Sequence, residues 1–167
     1  MSEASLVEEL MQHEVAERFD LRRVLKSTVS AYRDVYENRQ FEFDCEIDAA
    51  VMEGSPELVI QMLDKLVDNA AEFSAAGDII TISLAREDDS LVLGVENPGP
   101  PLPERMRSQL FDSMVSVRPD GSDKHLGLGL FVAKIIAEGH RGSISARNTG
   151  SGVRFSVSVP VADPQLA

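Results

Sequence analysis

Three short constellations in this 167-residue sequence are of kinds that hold phosphates, a metal ion or a flat ring. The first centres on Asn69. At 100° per residue, Val59, Met62, Leu63, Leu66, Val67, Ala70 and Phe73 share one helical face, and Glu57, Gln61, Asp64, Lys65, Asp68 and Glu72 the opposite one. Asn69 falls at the seam, where an amide holds a metal or ligand at a pocket's lip while the apolar face anchors the helix. The plainer reading is a solvated mid-helix asparagine. The second is Glu96-Asn97-Pro98-Gly99-Pro100, directly after an apolar, strand-like run. Prolines without amide hydrogens and a glycine without Cβ let a flat ligand approach the backbone, though such turns are also common on surfaces. The third is His125-Leu126-Gly127-Leu128-Gly129-Leu130, which runs into a helical pattern. Glycines at a helix start expose unpaired N–H groups and the positive end of the helix dipole, a phosphate cradle. No Gly-Lys-Ser/Thr follows, so this is not a Walker loop, and the dinucleotide fingerprint lacks its leading strand. Gly150 and Gly152 fit a hairpin turn.

The elements that must position these residues follow from periodicity and punctuation. Residues 3–17 read as the end of a helix and residues 21–36 as a second helix. Residues 41–47 alternate Phe41, Phe43, Cys45 and Ile47 with acidic or polar neighbours, a half-buried strand. Ser55 as N-cap and Pro56 at the first helical position open a long helix to about Phe73. Strands are expected at 79–84 and 91–95, and the proline-rich run 97–103 is read as a turn that neither helix nor central strand tolerates. A short helix at 103–110, a mobile polar loop at 113–124, a helix at 128–138 closed by Gly139, and strands near 143–148 and 153–159 complete the chain. The order predicts a two-layer α/β sandwich: a mixed sheet of about five strands packed on three helices.

Composition narrows the function. The net charge of -12 disfavours nucleic-acid binding, which needs a basic face. Any phosphate must therefore be held locally, by backbone amides, a metal and a few placed cations. One cysteine, Cys45, excludes an internal disulfide and gives no metal cluster. Residues 1–10 carry Glu3, Glu8 and Glu9, which reads as neither a signal peptide nor a membrane span and points to a soluble, reducing compartment.

Taken in order, the helix asparagine, the Pro/Gly turn, the polar loop, the Gly-Leu-Gly-Leu helix start and the Gly-x-Gly hairpin resemble the ATP-binding catalytic domain of sensor histidine kinases, in the GHKL superfamily. The phrases Leu-Val-Asp-Asn-Ala-Ala-Glu-Phe-Ser (66–74), Leu-Phe-Asp-Ser-Met (110–114), Ile-Ile-Ala-Glu-Gly-His-Arg-Gly (135–142) and Phe-Ser-Val-Ser-Val-Pro (155–160) match as well. The wording around 110–130 is also similar to kinases of sortase-linked proteobacterial two-component systems. The resemblance implies a Bergerat-type sandwich over residues 20–161 that binds ATP and Mg²⁺. Residues 1–19 would then be the remnant of a dimerisation-hairpin helix or a linker, and 162–167 a tail. It implies that Asn69 ligates the metal, Phe73 stacks on adenine, Asn97 and Gly99 meet the base and Leu102 lines its pocket. Residues 113–125 would form an ATP lid from which Arg118 and Lys124 reach phosphates, bordered by His125. The segment Leu126, Gly127, Leu128 and Gly129 would contact phosphate.

Several positions depart from the family pattern. Asn97 stands where an aspartate is usual; its carbonyl still accepts an N–H, without charge assistance. Pro101 and His125 replace glycines, and Val153 replaces a common threonine. Lys65 stands where kinases usually have Asn and hydrolytic relatives Glu, and Glu72 where kinases often have Lys. Lys65, Asn69 and Glu72 share a helix side at i, i+4 and i+7. Lys65 either takes over a phosphate contact, oriented by Glu72, or pairs with neighbours on a solvated face.

None of the three histidines reads as a phospho-acceptor. His13 is followed by Glu14-Val15-Ala16-Glu17-Arg18 rather than an acceptor box and lies too close to Asn69. His140 belongs to the turn after the last helix. The resemblance thus implies transfer of the ATP γ-phosphoryl group to a histidine on a helical dimerisation domain outside this chain. The chain would be cytoplasmic, part of a membrane-bound sensor kinase that acts through a response regulator, with no nucleic-acid or membrane contact of its own. The alternatives are an anti-sigma-factor-type serine kinase, a gyrase- or chaperone-type ATPase, and a nucleotide-free interaction module on the same fold.

Overall fold

The computed structural model describes residues 16–107, 110–111, 116–117, 123–124 and 126–162, with Ser5, Glu9, Met11 and Gln12. In chain order the elements are β1 (Glu17–Asp20), α1 (Leu21–Val35), β2 (Gln40–Cys45), β3 (Val51–Gly54), α2 (Pro56–Phe73), β4 (Ile79–Glu87), β5 (Ser90–Pro98), α3 (Glu104–Arg107), β6 (Ser116–Val117), β7 (Asp123–Lys124), α4 (Leu126–Gly139), β8 (Ser143–Asn148) and β9 (Gly152–Pro160).

Five strands form one mixed sheet in the order β2-β4-β5-β9-β8. β2 runs parallel to β4, and the remaining pairs are antiparallel. Strand alternation sends Ile80, Ile82, Leu84, Leu91, Leu93, Val95, Phe155, Val157 and Val159 to one face, where all are buried. Amphipathic helices cover that face. α1 contributes Leu21, Leu25 and Val29; α2 contributes Met62, Leu63, Leu66 and Val67; α4 contributes Leu130, Val132, Ala133, Ile136 and Ala137. The two-layer sandwich, the five-stranded mixed sheet and the three packing helices agree with the sequence expectation.

The local differences have physical causes. Residue 17 begins a strand rather than ending a helix, because β1 pairs antiparallel with β3. Both strands are only four residues long, too short for a period to register, and β1 shows no clear alternation. Asp20 closes this corner: its Oδ1 caps α1 at Arg22 N (3.0 Å) and also accepts the Ala50 N–H (3.1 Å). The expected helix over 3–17 otherwise falls largely outside the described residues. The strand expected to reach Ile47 stops at Cys45.

Asn97 and Pro98 belong to β5, not to the turn. They pair with Val153 and Gly152, whereas pairing with β4 ends at Glu96. Beyond Glu96 the strand has a single neighbour, so a proline without an N–H is tolerated there. The short helix covers only Glu104–Arg107. In the expected loop, Ser116–Val117 pairs antiparallel with Asp123–Lys124. α4 begins at Leu126, two residues early, so that Gly127 and Gly129 lie within its first turn.

Candidate functional site

Helix α2 sets the geometry of the site. Ser55 Oγ caps it by accepting the Leu58 N–H at 3.3 Å, and Pro56 occupies the first turn, where no amide is needed. Arg39 holds the other end. Its guanidinium donates to the Ala71 carbonyl (2.9 Å), the Ser74 carbonyl (3.1 Å) and Ser74 Oγ (2.8 Å). A cation on the last carbonyls satisfies orphan acceptors and complements the helix dipole. With both ends fixed, the last two turns present Asn69 and Phe73 to one cleft.

That cleft is lined by Asn69, Phe73, Asn97, Leu102, Met106, Leu110, Val153 and Phe155. It is apolar apart from the two asparagines, a balance typical of sites for flat organic ligands. Among the described residues the buried polar side chains are Ser55, Asn69, Asn97 and His140. Buried polar groups require a reason, and two of these four are the cleft asparagines. Asn69 is 5% exposed, so the solvated mid-helix reading is excluded. Asn97 is 2% exposed, and its Nδ2 donates to the Pro98 carbonyl at 2.9 Å, which leaves Oδ1 as the acceptor of the amide.

Gly99 has φ +147°, and a Cβ there would lie 2.7 Å from the Phe73 carbonyl oxygen. Only glycine lets the end of β5 pass so close to the end of α2. Leu102 is held by Asn148, whose Oδ1 accepts the Leu102 N–H (2.7 Å) and whose Nδ2 donates to the Leu102 carbonyl (3.0 Å).

The structure therefore brings together Asn69, Phe73, Asn97 and Leu102 around one cleft, with Gly99 against its wall. Lys65 and Glu72 are half-buried on α2 and do not line the cleft. Arg118 and His125 lie outside the described residues. For Lys124, Leu126, Gly127, Leu128 and Gly129 the backbone alone is described. Sequence reasoning missed Met106, Leu110, Phe155 and Asn148. The first three read as ordinary core positions, and Asn148 as the end of a strand.

Helix α4 is antiparallel to α2 at their junction. His140, just past its end, accepts the Ser55 N–H on Nε2 at 3.1 Å, and its Nδ1 lies 2.8 Å from the Ile136 carbonyl. The ring therefore carries its proton on Nδ1. Both helices rise about 1.5 Å per residue, and they pack along each other. The 14 residues of α4 consequently return its first turn to the level of Asn69. The first four amides of a helix have no intrahelical acceptor, so these N–H groups and the positive helix end stand at the cleft's end of the fold.

Among the described residues no group of three or more His, Cys, Asp or Glu side chains could hold a metal ion. No helix among them is long and apolar enough to cross a membrane.

Comparison with known proteins agrees with this geometry. The sequence profile of the family described as "Histidine kinase-, DNA gyrase B-, and HSP90-like ATPase" matches residues 54–163. The probable sensor kinase SilS of Salmonella typhimurium is 34% identical over 112 residues, 66% of this chain and 22% of that protein. The sensor protein CutS of Streptomyces coelicolor is 33% identical over 146 residues, 85% of this chain and 35% of that protein. The chain thus spans about a fifth to a third of the curated relatives' length. The nucleotide-free catalytic domain of histidine kinase ThkA superposes with a TM-score of 0.77 at 26% identity, covering 89% of this chain and 97% of that domain. ThkA solved in complex with the response regulator TrrA has the same fold, at a TM-score of 0.75 and 22% identity over 95% of this chain and 47% of that one. The narrower likeness to sortase-linked systems finds no support among these proteins.

Proposed function

Because the chain belongs to the family of histidine kinase-, DNA gyrase B- and HSP90-like ATPases, we propose that it is the ATP-binding catalytic domain of a two-component sensor histidine kinase. The observation that carries this reading is the convergence of Asn69, Phe73, Asn97 and Leu102 on one apolar cleft at the end of α2. In this reading Phe73 and Leu102 sandwich adenine, and Asn97 Oδ1 accepts its exocyclic N–H. The triphosphate runs toward the start of α4, where Leu126, Gly127, Leu128 and Gly129 supply amides, and Arg118, Lys124 and His125 border it from the lid. Residues 1–19 are read as a linker from a helical hairpin, with residues 17–19 already paired in β1, and residues 162–167 as a tail.

Mg²⁺ fits this donor set. It is a hard cation that takes oxygen ligands, commonly one or two carboxylates plus substrate phosphates and waters rather than an all-protein cage, and an amide oxygen is a hard donor of the same kind. Asn69, buried at the cleft, offers its amide oxygen as one such ligand. When bound, the ion neutralises phosphate charge as the γ-phosphoryl group leaves. This chain's own residues position the nucleotide, exclude water from the base and place helix-end amides on the phosphates. In the transfer the bond from the γ-phosphorus to ADP breaks as a bond to an imidazole nitrogen forms. The histidine that receives the group belongs to a helical dimerisation domain, and its proton passes to a base beside it there. From that histidine the group goes on to a response regulator. ATP as co-substrate and a chain with a single cysteine, Cys45, support reading it as the cytoplasmic part of a membrane-bound sensor.

The test is transfer in trans. The chain is incubated with γ-labelled ATP, Mg²⁺ and a separately produced hairpin domain carrying the acceptor histidine. Acid-labile label should accumulate on the hairpin, and none stably on the chain alone. Stable labelling of a histidine of this chain, or no ATP-dependent transfer with a competent hairpin, contradicts the proposal.

A further inference from the structure

The wall of the cleft opposite α2 is a segment that neither helix nor sheet can hold. In Pro100-Pro101-Leu102-Pro103, Leu102 carries the sole backbone N–H. That amide is taken by Asn148 Oδ1 at 2.7 Å, and the Leu102 carbonyl by Asn148 Nδ2 at 3.0 Å. One side-chain amide thus engages both backbone groups of one residue, as a neighbouring strand would. Asn148 is the last residue of β8 and, with Ile144 and Ala146, belongs to the half-buried set that alternates with exposed Ser143, Ser145 and Arg147. The same hairpin grips the segment at its start. Gly99 donates its N–H to the Ser151 carbonyl at 3.2 Å, and a Cβ on Gly152 would overlap the Asn97 carbonyl. Thr149 Oγ1 in turn accepts the Gly152 N–H at 2.9 Å, which stiffens the turn.

We propose that Asn148 is the positioning residue of the base half of the pocket: it pins Leu102 and thereby sets how closely the cleft fits a purine ring. The inference rests on the reading of the cleft as a nucleotide site and adds a residue that reading does not include. Asn148 itself does not line the cleft; it acts through the backbone of Leu102. Its loss therefore affects the base and leaves the phosphates alone.

Two variants test this in the full chain. Asn148→Ala removes both hydrogen bonds. Asn148→Asp keeps an acceptor for the Leu102 N–H, loses the donor at neutral pH, and regains it as a neutral carboxylic acid at lower pH. Hydrogen exchange is measured at the Leu102 amide without nucleotide, and affinities for adenosine and a non-hydrolysable ATP analogue are measured in parallel. The Leu102 amide should be protected in the wild type and in Asn148→Asp but exchange freely in Asn148→Ala. Asn148→Ala should weaken adenosine and the ATP analogue by the same factor, about five- to twentyfold. The adenosine affinity of Asn148→Asp, relative to the wild type at the same pH, should recover from pH 7 toward pH 4, where an ordinary aspartate of pKa about 3.9 is half protonated. This recovery keeps the test decisive if the alanine variant does not fold. If the wild type binds and adenosine affinity in Asn148→Ala stays within about twofold, or the aspartate variant shows no pH-dependent recovery, the role of Asn148 is refuted while the nucleotide site stands. A wild type that binds neither ligand refutes the site itself and this role with it.

Discussion

His140 Nε2 accepts the Ser55 N–H at 3.1 Å, joining the end of α4 to the cap of α2 across 85 residues of sequence. Both side chains are buried, at 7% and 4% exposure, so this contact between helix ends is shielded from water. It fixes the antiparallel register that brings the first turn of α4 back to the level of Asn69. His140→Ala leaves the buried Ser55 amide unpaired, which costs roughly 1–3 kcal/mol, with a further loss from the cavity. Urea unfolding should show this as a lower midpoint at an unchanged slope. An unchanged midpoint would mean that the junction is not a structural tie.

Tyr32 on α1 and Tyr36 at its C-terminal cap brace α2 from the other side. Tyr32 OH donates to Asp64 Oδ1 at 2.5 Å, and Tyr36 OH donates to Asp68. Burial, then the hydrogen bond to Asp64, pushes the Tyr32 hydroxyl well above its usual value; burial and Asp68 do the same for Tyr36. A pKa raised in the folded state contributes stability that is complete below the unfolded value of 10.0 and is lost as pH rises above it. Thermal unfolding should therefore be flat with pH near neutrality with respect to these groups and fall steadily above about pH 10. The double variant Tyr32→Phe, Tyr36→Phe should flatten that alkaline limb. An equally steep limb in the variant would assign it to other groups.

The fold was legible where burial imposes a period. The apolar face of α2, its Ser55-Pro56 start and the alternating strands β4, β5 and β9 all follow from that rule. β1 and β3 were not legible, because four-residue strands such as Glu17–Asp20 show too few alternations to register. Asn97 and Pro98 were misread as a turn, because proline's effect depends on whether a neighbour occupies its side of the strand. At the site, Asn69 and Asn97 were marked by residue type and placement, and Phe73 and Leu102 by the resemblance to histidine kinases. Asn148 was not, because its role lies in a contact 46 residues away that no local pattern encodes.

Lys65 stands one turn before Asn69, half-buried, on a helix whose other charged side chains are all acidic. We expect it to contact phosphate, with Glu72 at i+7 orienting it. A charge-assisted contact contributes about 1.5–3 kcal/mol, so Lys65→Ala should weaken ATP by about 10- to 100-fold. Adenosine affinity should barely move, since the cleft lining is untouched. If ATP affinity stays within about twofold, Lys65 makes no phosphate contact.

Phe73→Ala has the opposite signature. Removing the ring from the cleft should weaken adenosine and ATP alike, by about tenfold or more given stacking worth roughly 1–3 kcal/mol per base. Phe73 is half-exposed at the end of α2, so the urea midpoint should fall little. A large fall in stability without a selective loss of adenosine would make it a packing residue.

Calorimetric titration of the wild-type chain with a non-hydrolysable ATP analogue, with and without Mg²⁺ and repeated on Asn69→Ala, tests the nucleotide site most directly. Saturable one-to-one binding is expected, at least about tenfold tighter with Mg²⁺ (about 1.4 kcal/mol), and Asn69→Ala should abolish the Mg²⁺ effect. No binding by the wild type at millimolar analogue, or equal binding by both proteins with and without the metal, would contradict it.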